Sequence, residues 1–389
     1  MVCPERPVPH LVPHPIPASW AISDDQQDLY ATVRRFAREQ LEPLLTQPPA
    51  AARWRETVKR AAALGLGTMI LPAHMGGMAI SRDALCGIIG QFAAGPLERA
   101  AELTLSAAAL MVLRTHNALG QLPERDILNY FDGTTSIALS VPDAETSGTW
   151  RLSLHDGSPG LIMRAEAGQA CVLLATPPAG RGSTQHTQYT QDVHVTGMGA
   201  LTIGQWRFDH TDDIPSLAVL EQPDNHGIHP VQTWLTETAL YLCALLAGAM
   251  HQSVVFALGY SAGRHAFRRP LANHQMVAAR LADMLAATHS THVFLRAVTA
   301  ADTARCARLV RQLARHVAGE AIDTSRELVQ LCGGHGYVEG LPPAARFQTV
   351  HWLALLLTRL DAALGGFIAS QRALSGSGPY GPGPYGAQQ

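Results

Sequence analysis

Charge is scarce in this chain. Of 389 residues only 15% are charged, against 47% hydrophobic, and the formal net charge is −2. Neither sign is in excess, so there is no electrostatic footing for nucleic acid or an anionic membrane surface. Paired cysteines are missing as well. Cys3, Cys86, Cys171, Cys243, Cys306 and Cys332 are scattered with no C-x-x-C spacing. That excludes a sequence-evident zinc site and a small disulfide framework, and makes a reducing cytoplasm the expected compartment. The eighteen histidines are dispersed; His10 and His14 fall in a proline-rich arm with no helix to align them. No charged segment followed by an apolar one opens the chain, which argues against a secretory signal. No consecutive apolar run reaches membrane-crossing length. The most apolar stretch, Ala239 to Met250, has the length of a buried helix.

What is present divides the chain. At this length two or three packed units are expected. Residues 1–19 carry six prolines and predict an extended arm. Ser23, with Gln26 three residues later, reads as a helix start, and apolar positions at Leu29, Val33, Phe36, Ala37 and Leu41 continue to Pro43. Further helices are predicted over Trp54 to Leu64, Ser81 to Gln91 and Leu97 to Leu113, completing an all-α unit over 20–133. From Thr134 the character changes. Residues 134–233 are rich in β-branched residues, short alternating runs and turn clusters such as 156–160, predicting a small β-barrel. Helical periodicity returns at about 236–263, 272–300, 302–332 and 349–373, a four-helix bundle within 234–375. Residues 376–389 are Gly, Pro, Tyr, Ser, Ala and Gln only, a tail without core-forming residues.

Two stretches carry the most information. Ala321 to Tyr337, AIDTSRELVQLCGGHGY, is a helix stopped by Gly333 and Gly334, with Gln330 one turn before the break. Adjacent glycines permit positive φ and close approach of another chain or ligand, although an ordinary helix end would read the same way. Tyr260 to Met284, YSAGRHAFRRPLANHQMVAARLADM, places Arg264 and Phe267 at a turn, then Pro270-Leu271, Gln275 and a Leu-Ala-Asp-Met helix. In order and spacing the pair resembles the acyl-CoA dehydrogenase family of flavoproteins. The likeness runs over roughly 20–373 and includes a glycine-punctuated turn at 65–77 and a strand-then-turn over 207–215.

The resemblance implies an N-terminal α domain, a middle β-barrel and a C-terminal four-helix bundle, with FAD as cofactor. In the family a flavin takes a hydride from the acyl β-carbon while a carboxylate removes the α-proton, made acidic by the polarised thioester. Here Thr358 falls where that carboxylate belongs, and Arg359 replaces a glycine that gives the substrate room. An alternative base position corresponds to Thr238-Ala239. Glu237 is adjacent, but one residue turns a helical side chain by about 100°. Asp361 is the other nearby acid, and Glu237 and Asp361 are the two candidate bases. Around the expected ring site, residues 140–147 keep Pro142 but not the family's Gly-Ser-Asp, and Ile162 to Glu166 replace its flavin-contacting strand.

By contrast, the residues with which one subunit grips the adenine and diphosphate of its neighbour's flavin all have counterparts: Arg264, Phe267, Gln275, Gln330, Gly333 and Gly334. Arg264 suits a diphosphate through its planar fork, and the glycine turn offers backbone N–H groups. Arg268 stands where the family usually has glycine, adding charge to that site or crowding it. The division implies a hetero-oligomer, an α2β2 assembly with a catalytically complete subunit, of the kind that acts on bulky steroid-type side chains. An electron-transferring flavoprotein is the implied acceptor. Two other readings stay open: a self-sufficient flavoenzyme using Glu237 or Asp361, and a flavin-free scaffold of the same fold.

Overall fold

A computed structural model describes residues 24–47, 49–65, 68–123, 135–143, 148–154, 158–166, 169–176, 187–190, 200–208, 216–338 and 341–374. The N-terminal arm, the C-terminal tail and most of the predicted turns of the middle domain lie outside them.

The N-terminal unit consists of α1 (Asp24–Phe36), α2 (Ala51–Ala63), α3 (Arg82–Phe92), α4 (Leu97–Thr104) and α5 (Ala107–Thr115). Ser81 caps α3 by accepting a hydrogen bond from the Ala84 amide at 3.2 Å, which satisfies one orphan donor of the first turn. The single helix expected over 97–113 is two. The break falls at Leu105 and Ser106, where the Ser106 hydroxyl accepts from the Ile137 amide at 2.9 Å and ties the α domain to the first strand region. Beyond Phe36 the first helix loosens into a π-turn over Ala37–Leu41, followed by a 3-10 turn over Glu42–Leu45 that contains Pro43.

The middle domain holds two antiparallel sheets. One has the order β1 (Leu139–Pro142), β2 (Gly148–Ser153), β6 (Thr202–Phe208), β5 (Thr187–Thr190); the other has the order β3 (Gly160–Glu166), β4 (Gln169–Ala175), β7 (Ser216–Leu220). Ile162, Cys171, Leu173 and Ala175 from one sheet share a small core with Trp206 from the other. A bridge between Ala138 and Gly160 also joins them.

The bundle is α6 (Pro230–Gly263), α7 (Gln275–Thr299), α8 (Thr303–Cys332) and α9 (Pro342–Leu374). Helix α6 starts at Pro230, inside the segment expected to belong to the middle domain. Proline at its first position needs no N–H donor, and the His229 ring accepts from the Val231 amide at 3.2 Å. Likewise α9 starts at Pro342 rather than near 349. From Thr233 to Met250, α6 is buried on all sides, as expected of a central bundle helix. Gly248 makes this possible: a Cβ there would collide with the Gly90 carbonyl oxygen of α3.

One sequence expectation is corrected here. Pro230–Gly263 and Pro342–Gln371 are each long and apolar enough, by length and composition, to cross a membrane. An uninterrupted-run criterion overlooks them because isolated polar residues punctuate both. In the first, 67% of the most apolar window is buried inside the protein, which accounts for its apolarity as a core helix.

A histidine cluster lies between α6 and α7, where the His251 and His292 rings are 6.0 Å apart. Burial pushes the His292 imidazole down to about 4, helped by His251 and His289. Burial, with Arg34 and His289, also lowers His251. The unfolded chain, with an ordinary histidine pKa of ~6.5, binds the His292 proton more readily than the folded one. The contribution to stability is therefore complete above about pH 6.5 and is lost as pH falls toward 4. Urea midpoints at about pH 7.5 and about pH 4.5 should differ by an amount corresponding to about 2–3 kcal/mol from this group, and His292→Gln should flatten that difference.

Candidate functional site

Six of the residues singled out above converge on one end of the bundle. There the C-terminal parts of α6 and α8 and the N-terminal part of α7 pack on a satellite core of Val254, Ala257, Leu281, Met284, Leu328 and Leu331. Above it, Arg264 caps α6, Gln275 opens α7, and Gln330, Gly333 and Gly334 end α8. Phe267 sits on the turn of a hairpin formed by β8 (His265–Ala266) and β9 (Arg269–Pro270). All six are exposed, Phe267 by 91%. Met276 and Tyr337 beside them are 71% and 65% exposed. Large apolar side chains gathered on one exposed surface mark a contact region.

The glycine turn is held from within. Gly333 has φ +58, and added Cβ atoms at Gly333 and Gly334 would meet nothing within 4 Å. The Tyr260 hydroxyl donates to the Cys332 carbonyl at 3.2 Å and lies 2.9 Å from His335 Nδ1. The Gln330 amide donates to the Tyr337 hydroxyl at 3.0 Å. Tyr260, His335 and Tyr337 thus set the shape of a turn whose outer side is open. These three were visible in the two motifs, but their pairing across 72 and 75 residues was not.

The hairpin is strained. Phe267 and Arg268 occupy its two-residue turn with φ of +50 and +64. Two consecutive positive φ values belong to a type I′ turn, which favours Asn-Gly. In non-glycine residues the left-handed region costs roughly 1–2 kcal/mol each.

The face where α9 meets the middle domain is built differently. The Thr358 hydroxyl is exposed and donates to the Ala354 carbonyl one turn back at 3.0 Å. It has no base strength at neutral pH, and its bond stays within its own helix. Next to it Arg359 reaches Asp143 Oδ2 at 3.2 Å and lies 5.2 Å from the Trp150 ring centroid. The same carboxylate oxygen accepts from Trp150 Nε1 at 3.2 Å and Gln205 Nε2 at 2.9 Å. Three donors on one oxygen, with the Asp143 side chain 6% exposed, form a firm clasp between bundle and sheet. Asp143 and Gln205 were not picked out from the sequence. The only signal was Arg359 in a glycine position, which demands a counter-charge. Residues 144–147 lie outside the described part of the chain. Arg164 on β3 pairs with Glu221 at 3.7 Å.

Neither candidate base stands free. Glu237, 4% exposed, accepts from Arg82 Nε at 2.8 Å and Nη2 at 2.5 Å. It faces α3 and α5 among Leu85, Cys86, Ile89 and Met111. Asp361 accepts from Arg311 Nε and Arg315 Nε, both at 2.7 Å, and joins α9 to α8. Both acids are thus engaged in ion pairs, Glu237 with Arg82 and Asp361 with Arg311 and Arg315.

A model of the acyl-CoA dehydrogenase N-terminal domain matches residues 23–118, and one of the C-terminal domain matches residues 225–360. No curated protein sequence matches. Among solved structures, butyryl-CoA dehydrogenase from Megasphaera elsdenii is 17% identical with a TM-score of 0.67, over 90% of this chain and 99% of that one. A glutaryl-CoA dehydrogenase from Mycobacterium smegmatis, in complex with FADH2, is 16% identical with a TM-score of 0.67, over 91% and 95%. The prolyl acyl carrier protein oxidase AnaB is 12% identical with a TM-score of 0.69, over 90% and 100%. At such identities the structural likeness establishes the fold. Together with the two family models it places this chain in the acyl-CoA dehydrogenase family.

Proposed function

We propose that this chain is the non-catalytic subunit of an FAD-dependent acyl-CoA dehydrogenase. It lends the adenine and diphosphate grip to a catalytically complete partner in an α2β2 assembly. The observation that carries this is the contrast between its two surfaces. The bundle end keeps Arg264, Gln330 and an open glycine turn exposed, while the domain face has Thr358 in place of a carboxylate and is spanned by Arg359 and Asp143.

The residues at the bundle end fit a dinucleotide. Arg264 offers a guanidinium fork, the turn at Gly333 and Gly334 leaves room for backbone contact, and Phe267 offers an aromatic face. The domain face does not fit a flavin ring, since charged side chains bridge it; no chemical step is assigned there. When bound, FAD supplies the acceptor for the hydride that leaves the acyl β-carbon. This chain's part is to bind and orient. The acyl thioester, of a bulky class, and the proton-abstracting carboxylate belong to the partner, and an electron-transferring flavoprotein takes the electrons.

The test is turnover. The chain alone, supplied with FAD, acyl-CoA thioesters and a dye acceptor, should be inactive. Co-production with a family member bearing an intact base should give activity that Asp361→Asn and Thr358→Val in this chain leave unchanged. Activity of the isolated chain, lost on Asp361→Asn, would replace the proposal by the self-sufficient reading.

A further inference from the structure

We infer that Arg268 is a second phosphate-recognising arginine at the bundle end, a specificity residue that the left-handed hairpin turn holds out toward the dinucleotide bound across the interface. The inference rests on the half-site reading above.

Phe267 and Arg268 adopt φ of +50 and +64, the backbone of a turn that glycine and asparagine accept most easily. Among the described residues the Phe267 ring meets the His274 ring at 6.1 Å, and no side-chain hydrogen bond or ion pair holds Arg268. Both side chains are exposed, and among the described residues no carboxylate pairs with Arg264 or Arg268. The neighbouring Arg269 is occupied differently: its Nη2 lies 3.1 Å from His274 Nδ1, while His274 Nε2 lies 3.1 Å from the Ala266 carbonyl. That pairing braces the hairpin and leaves Arg268 at its tip. Strain held at a surface turn points to a contact formed outside the chain.

Charge decides the kind of contact. Between Glu237 and Asp283 the sequence contains no acidic residue, but it contains Arg264, Arg268, Arg269 and Arg280. The last carboxylate on α8, Glu327, pairs with Arg280 at 3.3 Å. The hairpin and the start of α7 therefore carry an excess of arginine, and the glycine turn leaves open space beside its backbone, a combination that suits phosphate oxygens. An acidic side chain of the partner is the competing occupant, and it makes a different prediction.

Arg268→Gly separates these effects because strain and recognition respond in opposite directions. In the isolated chain the substitution should raise the thermal midpoint by about 1–3 °C, since glycine adopts positive φ without penalty. In the assembly with a flavin-binding family member it should weaken FAD binding about 5- to 20-fold, followed by flavin fluorescence, and make that affinity less sensitive to salt. Arg268→Lys should recover part of the affinity. Arg264→Ala is the control. If Arg264→Ala releases FAD and Arg268→Gly does not, Arg268 has no such role and the half-site reading stands. If neither changes FAD affinity, both fail. If Arg268→Gly lowers the assembly's association constant and leaves FAD affinity intact, the contact is an acidic partner residue and the inference is overturned.

Discussion

Replacing Glu237 by alanine should destabilise the protein by about 3–5 kcal/mol, because it strands a largely buried Arg82 guanidinium without its counter-charge. The pair spans 155 residues and joins α3 to α6, so the loss falls on the contact between the N-terminal domain and the bundle. In urea the midpoint should fall by roughly 1 M. A double variant, Arg82→Met with Glu237→Leu, should recover most of the loss, since apolar replacement of both partners of a buried pair is commonly neutral or better. This pattern separates a strut from a base. Were Glu237 the proton acceptor, the double variant would fold and the chain's own turnover would be lost. If it is a strut, the double variant assembles with its partner and leaves activity intact.

The second large effect concerns Arg264. Its replacement by alanine should reduce FAD affinity of the assembly by about 10- to 100-fold, equivalent to the roughly 1.5–3 kcal/mol of a charge-assisted contact. The stability of the isolated chain should hardly change, because Arg264 is exposed at a helix end and, among the described residues, makes only backbone hydrogen bonds. On the proposed function, the flavin lost would be the one used by the catalytic partner. Equilibrium dialysis of flavin against the assembled pair, with unfolding of the free variant measured alongside, checks both halves. Unaltered FAD affinity would remove the bundle end from the flavin site.

Much of the fold was legible because it rests on local signals. The apolar run within Ser81 to Gln91 announced α3, and the paired glycines 333 and 334 announced the end of α8. The motif residues at the bundle end were legible for the same reason: each sits at a helix terminus or the adjoining turn, where sequence chemistry and backbone geometry coincide. Other boundaries were hidden. Pro230 and Pro342 look like breakers in a periodicity reading, yet each opens a long helix. The break at Leu105 and Ser106 depends on a tertiary bond to Ile137.

The domain face was the least legible part. Arg359 could be recognised as foreign to a glycine position, but its partner Asp143 lies 216 residues earlier. Trp150 and Gln205 join that carboxylate only because β2 and β6 pair, with Trp150 opposite Gln205. The same holds for Glu237, whose ion-pair partner Arg82 lies 155 residues earlier. Long-range ion pairs leave no periodic trace in a sequence, so acids that look available as bases can prove to be structural.

The central claim is tested most directly by flavin stoichiometry and subunit ratio, measured on this chain produced alone and then with a catalytically complete family member. The account predicts little flavin on the chain alone, and equal subunit numbers with one FAD per pair after co-production. One FAD per chain on the isolated protein, with turnover of an acyl-CoA, would contradict it.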